Sequence, residues 1–232
     1  KNPIYKSSEL AKIIKAGVAR LADFQRPDGG WGWWKQGDSD PYMTAYVVSG
    51  LALAREASVA LPDGMFERGV EFVAQAAGRE APPRRYPWQQ GEDFSLRSYL
   101  LYTLGRADKR RLADPPVKAQ LRRAFENRDD LTDYARALIA IALADAEMME
   151  EAQLTLGNIK DRARVDKQTK SVSWGQERNY WYWYDCGTEA TSYSLKALIR
   201  LEPGSPMIPQ AVNWLVRHRQ GTRWFNTKDT AI

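Results

Sequence analysis

LTDYARALIAIALADAEM, residues 131–148, is the stretch of this chain that decides its fold. From Tyr134 to Ala144 almost every residue is apolar, and the run is longer than an ordinary strand. A helix that is apolar on all sides is typical of the interior of a protein. We therefore predict an inner helix here, and the rest of the chain can be compared with it.

Similar apolar segments recur along the chain. Residues 44–54 (TAYVVSGLALA), 132–143 (TDYARALIAIAL) and 191–201 (TSYSLKALIRL) each begin with Thr and carry Tyr two residues later. With a further short apolar segment, residues 92–106 (EDFSLRSYLLYTLGR), they alternate with amphipathic segments, which predicts a degenerate repeat of inner and outer helices. An open array would leave one face of the inner helices in water, so we predict closure into an all-α α/α toroid. The amphipathic segments are residues 7–25, 62–77, 115–127, 149–165 and 207–220.

Two segments depart from the helical pattern. Residues 171–187, SVSWGQERNYWYWYDCG, alternate in character, with Tyr180, Tyr182 and Tyr184 on one side. This period of two predicts a β-hairpin. Residues 221–232, GTRWFNTKDTAI, predict a second short hairpin arm followed by a helix N-cap. The predicted fold class is therefore an α/α toroid with short β-hairpin excursions.

The loop DGGWGWWKQGD, residues 28–38, contains four glycines and three tryptophans. Gly29, Gly30 and Gly32 allow positive φ in a tight connection, and we predict a helix that starts with Asp40 as N-cap and Pro41 as its first residue. The tryptophans either cover the end of the helical barrel or form a docking surface for a neighbouring domain. The same two roles are possible for the tryptophans of the predicted hairpin. The candidate domain-interface residues are Trp31, Trp33, Trp34, Trp181 and Trp183.

Composition and charge limit the classes of partner that this chain is expected to bind. The chain has 232 residues, a net charge of +5 and a single cysteine, Cys186, so it has no internal disulfide. The basic clusters APPRRYP (81–87) and RADKRR (106–111) are too short to indicate nucleic-acid binding. No apolar run approaches the roughly 20 residues that span a bilayer. We expect residues 1–232 to form a single domain, a fragment of a larger multidomain protein truncated at both ends.

Three stretches resemble the thioester domain of bacterial alpha-2-macroglobulins, which also occurs in complement proteins. They are DGGWGWWKQGDSDPYMTAYVVSGLALA (28–54), YDCGTEATSYSLKALIRL (184–201) and PQAVNWLVRHRQGTRWFNTKDTAI (209–232). Their order and spacing agree along nearly the whole chain. The resemblance implies a toroid of six helical hairpins within a broad protease inhibitor. It also implies target proteases and neighbouring domains as partners, and a periplasmic or cell-envelope location.

The reactive motif of that family is missing from the chain. The family joins a Cys and a Gln of a C-x-E-Q motif in a thioester, whose thiolate leaving group makes the acyl carbon reactive. No C-x-E-Q occurs here, so we expect it before Lys1 unless the parent protein lacks it. Cys186 has no Gln three residues on and is predicted to be a packed thiol, and His218 is predicted to be a surface residue. We therefore assign no catalytic, metal-binding or cofactor-binding residues, and no cofactor.

Two other functions stay open at this point. DDLTD, residues 129–133, resembles the acidic motif of prenyl-diphosphate enzymes, and QRPDGGWGWW, residues 25–34, resembles the Gln–Trp motif of triterpene cyclases. The simpler interpretation is that Asp129 and Asp130 end a loop while Asp133 lies in a first helical turn. A toroid enzyme predicts a deep, acid-lined pocket, and a protease trap predicts a filled barrel. A structural interaction domain of an envelope protein predicts a large exposed aromatic patch.

Overall fold

The computed structural model describes residues 7–80, 94–175, 187–219, 221 and 224. The chain divides into two compact units, Lys1–Ala76 and Ala77–Ile232. Within the described ranges, no helix has the length and apolar character needed to cross a bilayer.

The first unit is built from helices α1 (Ser7–Phe24), α2 (Pro41–Glu56) and most of α3 (Met65–Gly78). The predicted start of α2 is confirmed: the Asp40 carboxylate accepts a hydrogen bond of 2.8 Å from the Met43 backbone N–H, and Pro41 is the first residue. This bond satisfies one of the backbone donors that a helix leaves unpaired at its start.

The prediction that α2 is buried on nearly all sides is wrong. Tyr46 is 42% exposed and Leu53 is 55% exposed, whereas the buried residues Val48 and Leu51 lie on one face. The buried face packs against α3, because a side chain at Gly69 of α3 would come 2.9 Å from the Val48 side chain. In the described part of the chain, α2 therefore has one buried face and one solvent-exposed face.

The second unit contains the fully buried helix. It is α6, and every residue from Tyr134 to Ala144 is buried, as the sequence predicts. Helices α4 and α8 pack on either side of α6, and the amphipathic helices α5, α7 and α9 follow the inner helices along the chain. The elements are α4 (Phe94–Asp108), α5 (Pro115–Glu126), α6 (Asp133–Asp145), α7 (Met149–Asp161), β1 (Arg164–Asp166), β2 (Ser171–Ser173), α8 (Gly187–Leu201) and α9 (Met207–Arg217), with short 3₁₀ turns at Lys109–Ala113 and Arg128–Asp130.

Contacts between side chains show that the three inner helices run in the same direction. Tyr134 near the start of α6 meets Tyr193 of α8, with ring centroids 5.4 Å apart. At the other end, Arg200 of α8 reaches the Asp145 carboxylate of α6 at 3.2 Å. Gly105, in the last turn of α4, also lies against Asp145, since a Cβ there would come 3.2 Å from the Asp145 Cβ. The C-terminal ends of α4, α6 and α8 therefore share one side of this unit.

The predicted hairpin and the predicted helix over residues 149–165 both need correction. Helix α7 ends at Asp161, and Arg164–Asp166 form β1, which pairs antiparallel with β2. The Asp166 carboxylate accepts hydrogen bonds from the backbone N–H groups of Gln168 and Thr169 and closes the turn between the strands. The first arm of the predicted hairpin thus pairs with the preceding segment. The tyrosines of residues 180–184 lie outside the described residues, as do most of residues 221–232.

Glycine is required at the turn after α1 for two different reasons. Gly29 has φ +87°, and a Cβ there would lie 2.5 Å from the Arg68 carbonyl oxygen. Of the three glycines that could adopt positive φ, only Gly29 does so. A Cβ at Gly30 would still lie 2.6 Å from the Ser39 Cβ, and one at Gly32 would lie 2.6 Å from the Asp38 carbonyl oxygen. At these two positions glycine is required because neighbouring atoms leave no space for a side chain.

Replacing Gly29 by Ala is expected to lower the free energy of unfolding by about 2 kcal/mol, since it adds both left-handed backbone strain and a clash. Gly50→Ala is the matched control: Gly50 lies in α2, and a Cβ there meets nothing within 4 Å. That control should raise the free energy of unfolding by about 0.5–1 kcal/mol. Urea unfolding of both variants measures the difference, and equal effects would contradict this account of the turn.

Candidate interface at the tryptophan loop

The tryptophan loop, residues 25–40, is folded by its own polar groups. The Asp28 carboxylate accepts hydrogen bonds from the Gly30 backbone N–H at 3.0 Å and from the Ser39 hydroxyl at 2.8 Å. The Arg26 backbone N–H donates to the Gly30 carbonyl at 3.0 Å. Asp28 therefore ties the two ends of the loop together and fixes the direction in which the tryptophans leave it.

Trp31 belongs to the core of the first unit. Its side chain is 2% exposed, and its indole N–H donates to the Leu21 carbonyl of α1 at 2.8 Å. Its backbone N–H donates to the Thr44 hydroxyl at 2.9 Å, and that hydroxyl lies 3.1 Å from the Trp31 carbonyl. The residue joins α1 to α2 with its polar groups satisfied, and we call such a buried, hydrogen-bonded tryptophan a plug.

Trp33 and Trp34 are on the surface. Trp33 is 53% exposed and Trp34 is 79% exposed. The backbone that carries them is held in place, because the Arg26 guanidinium donates to the Trp34 carbonyl at 2.6 Å and Lys35 pairs with Asp23 at 2.6 Å. The loop therefore presents two adjacent, exposed indole side chains on a backbone that is held in place. Large exposed aromatic side chains of this kind are typical of interface anchors.

The second unit contains another buried, hydrogen-bonded tryptophan, Trp174, which the sequence patterns did not indicate. Trp174 is 1% exposed, and its indole N–H donates to the Ile159 carbonyl of α7 at 2.7 Å. Its backbone N–H donates to the Thr191 hydroxyl of α8 at 3.1 Å. The bonds are the same as those of Trp31. The available sequence signal was a Trp-Gly pair followed by a Thr-x-Tyr helix, which occurs at both sites.

The third Thr-x-Tyr segment is different. Thr132 is the N-cap of α6, where its hydroxyl accepts from the Ala135 backbone N–H at 3.2 Å. Thr44 and Thr191 instead lie inside their helices and bind the tryptophans. All three repeat segments therefore form a helix, but only two of their three threonines bind a buried tryptophan.

The other residues that the sequence analysis considered are not brought into one site. Asp129 and Asp130 are exposed in a 3₁₀ turn, and Asp133 lies in the first turn of α6, as the simpler interpretation predicts. His218 is exposed as predicted, and its ring stacks on Trp214 with centroids 3.9 Å apart. Within the described ranges, no group of three or more His, Cys, Asp or Glu residues could hold a metal ion. Trp181, Trp183 and Cys186 lie outside the described residues.

A cavity of about 390 Å³ lies between the β-hairpin and α9 in the second unit. Its lining includes the indoles of Trp174 and Trp214 together with Arg164, Arg217 and one carboxylate, Asp166. This lining contains more basic than acidic groups, so it does not match the acid-lined pocket that a diphosphate-binding enzyme predicts.

The comparison with known families decides the identity of this fold. The family model of the A-macroglobulin TED domain matches residues 2–232, nearly the entire chain. This chain belongs to the A-macroglobulin TED domain family. The resemblance to alpha-2-macroglobulins is thereby confirmed.

Individual relatives agree with the family. The alpha-2-macroglobulin of Thermotoga maritima is 39% identical over 223 residues, which cover 96% of this chain and 12% of that protein. Thioester-containing protein 1 (allele R1) of Anopheles gambiae is 25% identical over 97% of this chain and 17% of its own length. The TED domain described here therefore spans only a small part of the curated relatives that it matches.

A solved structure supports the same fold. Salmonella alpha-2-macroglobulin reacted with methylamine superimposes with a TM-score of 0.71 at 18% identity, over 98% of this chain and 14% of that one. At this identity the likeness concerns the fold alone, and it confirms the predicted all-α toroid class.

Proposed function

We propose that this chain is the TED domain of an alpha-2-macroglobulin-type protease trap, and that it is not itself an enzyme. The main support is the 39% identity to the Thermotoga alpha-2-macroglobulin over 96% of the chain. In this proposal residues 1–232 form one domain of a longer polypeptide located in the periplasm or cell envelope. Its partners are the neighbouring domains of that polypeptide and the target proteases.

The chemistry proposed for the full-length protein is acyl transfer from a thioester. Attack by an amine on the thioester carbonyl forms an amide and releases the cysteine thiolate, which is a much better leaving group than an amine. The reactive pair lies outside residues 1–232, since these contain no C-x-E-Q motif. Shielding from water keeps such a bond intact until a conformational change exposes it. One relative supports this chemistry by its description as thioester-containing.

A trap and an ordinary active-site inhibitor give different results with two substrates. We expect the full-length protein to suppress the cleavage of casein by trypsin while the cleavage of a small chromogenic amide continues, because a steric cage excludes only large substrates. Loss of both activities would indicate a blocked protease active site. Retention of both would leave the protein without inhibitory function, and either result overturns the proposal.

Within this function, Trp33 and Trp34 dock against a neighbouring domain of the same polypeptide. Their exposure of 53% and 79% on a loop fixed by Arg26 and Lys35 supports this role. A loop whose backbone is already held in place loses little conformational entropy when it is buried in an interface. Trp181 and Trp183 remain candidates for the same role on sequence grounds alone.

The double variant Trp33→Ser/Trp34→Ser tests the docking role. We expect the free energy of unfolding of the TED domain to change by less than about 0.5 kcal/mol, because both side chains are exposed. In the full-length protein, small-angle X-ray scattering should show a larger radius of gyration, because the domain is released. Tyr46→Ser, which changes another exposed aromatic residue, is the control and should leave the radius unchanged. Equal radii for the double variant and the control would contradict the docking role.

A further inference from the structure

The cavity between the β-hairpin and α9, which we call the hairpin cavity, has polar side chains without a partner among the described residues. It measures about 390 Å³, which is at the lower end of the range of ligand pockets, about 300–1,000 Å³. Arg164 and Ser173 line the cavity and lie directly opposite each other on β1 and β2. Their side chains therefore project from the same face of the hairpin. No described residue forms a hydrogen bond or an ion pair with either side chain.

Arg217 of α9 is held against the same hairpin. The Asn213 amide nitrogen donates to the Thr169 carbonyl of the hairpin turn at 2.8 Å, and the Asn213 amide oxygen accepts from Arg217 Nε at 3.0 Å. These two bonds hold the guanidinium at the hairpin cavity, which Arg217 lines. In the part of the chain that the structure describes, no hydrogen bond uses its two terminal nitrogens. A cation that is already held in place loses little conformational freedom when it binds a ligand.

Asp166 is the one carboxylate among the described lining residues, and the hairpin turn already uses it. It accepts hydrogen bonds from the Thr169 hydroxyl at 2.7 Å and from the backbone N–H groups of Thr169 and Gln168 at 3.2 and 2.8 Å. These hydrogen bonds, together with the nearby positive charge of Arg217, lower the pKa of Asp166, so that it is ionised at neutral pH. A single carboxylate can neutralise only one of the two arginines of the lining.

The carboxylate of Asp133, which lies beside the hairpin cavity, is also in use. One of its oxygens accepts from the backbone N–H of Gly175, a lining residue, at 3.0 Å. The other is paired with Arg136 at 3.0 Å and with Arg162 at 2.6 Å. The described lining therefore has two arginines and one carboxylate, and one positive charge is left without an acid.

The remaining walls of the hairpin cavity are partly apolar. Val165, which is 60% exposed, and Trp214 line it together with the polar groups. A ligand that matches these walls combines one negative charge with a small apolar group. Inorganic phosphate matches less well, because it has no apolar part and carries more than one negative charge at neutral pH.

We propose that the hairpin cavity binds a carboxylate ligand of about the size of a dipeptide, with Arg164 and Arg217 donating to the carboxylate. A guanidinium suits this role because it can donate two parallel N–H bonds to the two carboxylate oxygens. The Ser173 hydroxyl donates a further hydrogen bond, and Val165 contacts the apolar part. A free small acid and the carboxyl terminus of a polypeptide both carry this chemistry. The site is distinct from the tryptophan loop, and its occupancy does not depend on the proposed thioester chemistry.

Titration of para-fluorobenzoyl-Gly-Val with the full-length protein, followed by the linewidth in fluorine NMR, tests the proposal. The C-terminal amide of the same compound lacks the carboxylate and should bind about tenfold more weakly. Arg164→Gln and Arg217→Gln should each weaken binding of the acid by about tenfold as well. Lys167→Gln is the matched control, because Lys167 lies in the turn of the same hairpin but does not line the cavity. This control should bind the acid as the parent protein does.

A urea midpoint measured for each variant separates lost binding from lost folding. Both arginines are exposed, so the variants should unfold at the same urea concentration as the parent protein. Absence of binding by the acid, equal binding of acid and amide, or unchanged binding after both arginine substitutions would overturn the proposal. Displacement of the labelled acid by inorganic phosphate more readily than by its unlabelled form would overturn the assignment of a carboxylate ligand.

Competition with butyrate distinguishes the two sources of the carboxylate. Displacement by butyrate as effective as that by the unlabelled dipeptide acid supports a free small acid as the ligand. Displacement by the dipeptide acid alone supports the carboxyl terminus of a polypeptide, since only that compound has a peptide backbone to fill the rest of the cavity.

Discussion

Trp174→Ala is expected to lower the free energy of unfolding by about 4 kcal/mol, the range seen when a buried aromatic side chain is truncated. Trp174 is 1% exposed and lies between α7 and α8: its indole N–H donates to the Ile159 carbonyl, while its backbone N–H donates to the Thr191 hydroxyl. The change leaves a cavity and removes the donor to a buried carbonyl. Urea unfolding followed by circular dichroism measures the loss.

Two comparisons make this prediction specific. Trp34→Ala removes the same atoms from a side chain that is 79% exposed, and it should change the free energy of unfolding by less than about 0.5 kcal/mol. Trp174→Phe keeps most of the buried volume and removes only the indole donor, so its cost should be about half that of Trp174→Ala. A loss below about 1 kcal/mol for Trp174→Ala would show that Trp174 does not join the two helices.

Asp133→Ala is expected to cost about 3 kcal/mol, because it removes one partner of a buried ion pair. Asp133 pairs with Arg136, which is 1% exposed, at 3.0 Å, and with Arg162 at 2.6 Å. Its second oxygen accepts from the Gly175 backbone N–H at 3.0 Å, directly after the Trp174 plug. A single carboxylate thus connects the start of α6, the end of α7 and the segment that leads to α8.

The neighbouring Asp129 provides the control for Asp133. Asp129 is exposed, and Asp129→Ala should change the free energy of unfolding by less than about 0.5 kcal/mol. If DDLTD held magnesium in an enzyme, added magnesium would stabilise the parent protein and Asp129→Ala would abolish that effect. We expect no such magnesium dependence, and a large effect confined to Asp133. Comparable losses for the two variants would contradict the structural role.

The sequence predicts those features that depend on neighbouring residues. The Asp40–Pro41 start of α2 follows from local capping chemistry, and the burial of α6 follows from its uniform apolar composition. In contrast, β1 forms because Val165 pairs with Val172, and the helical pattern of the preceding residues conceals this short strand. The three residues of β1, Arg-Val-Asp, are too few for their polar–apolar alternation to identify a strand.

The candidate site was predictable as a group but not residue by residue. Trp31, Trp33 and Trp34 share one glycine-rich segment, so composition alone does not show which of them is buried. Trp31 differs from the two exposed tryptophans because it binds the Leu21 carbonyl and the hydroxyl of Thr44, which lies 13 residues later in the chain. The charged residues of α4 and α8 likewise meet only through the parallel packing of the inner helices, which no local pattern records.

The intact mass of the full-length protein with and without methylamine, combined with titration of free thiols, tests the central claim most directly. The account predicts that the protein gains the mass of one methylamine and releases one thiol, since aminolysis of a thioester yields both products together. Cys186 is no substitute for the reactive cysteine, so Cys186→Ser should preserve both changes. An unchanged mass and thiol count would contradict the claim that this domain serves a thioester-bearing trap.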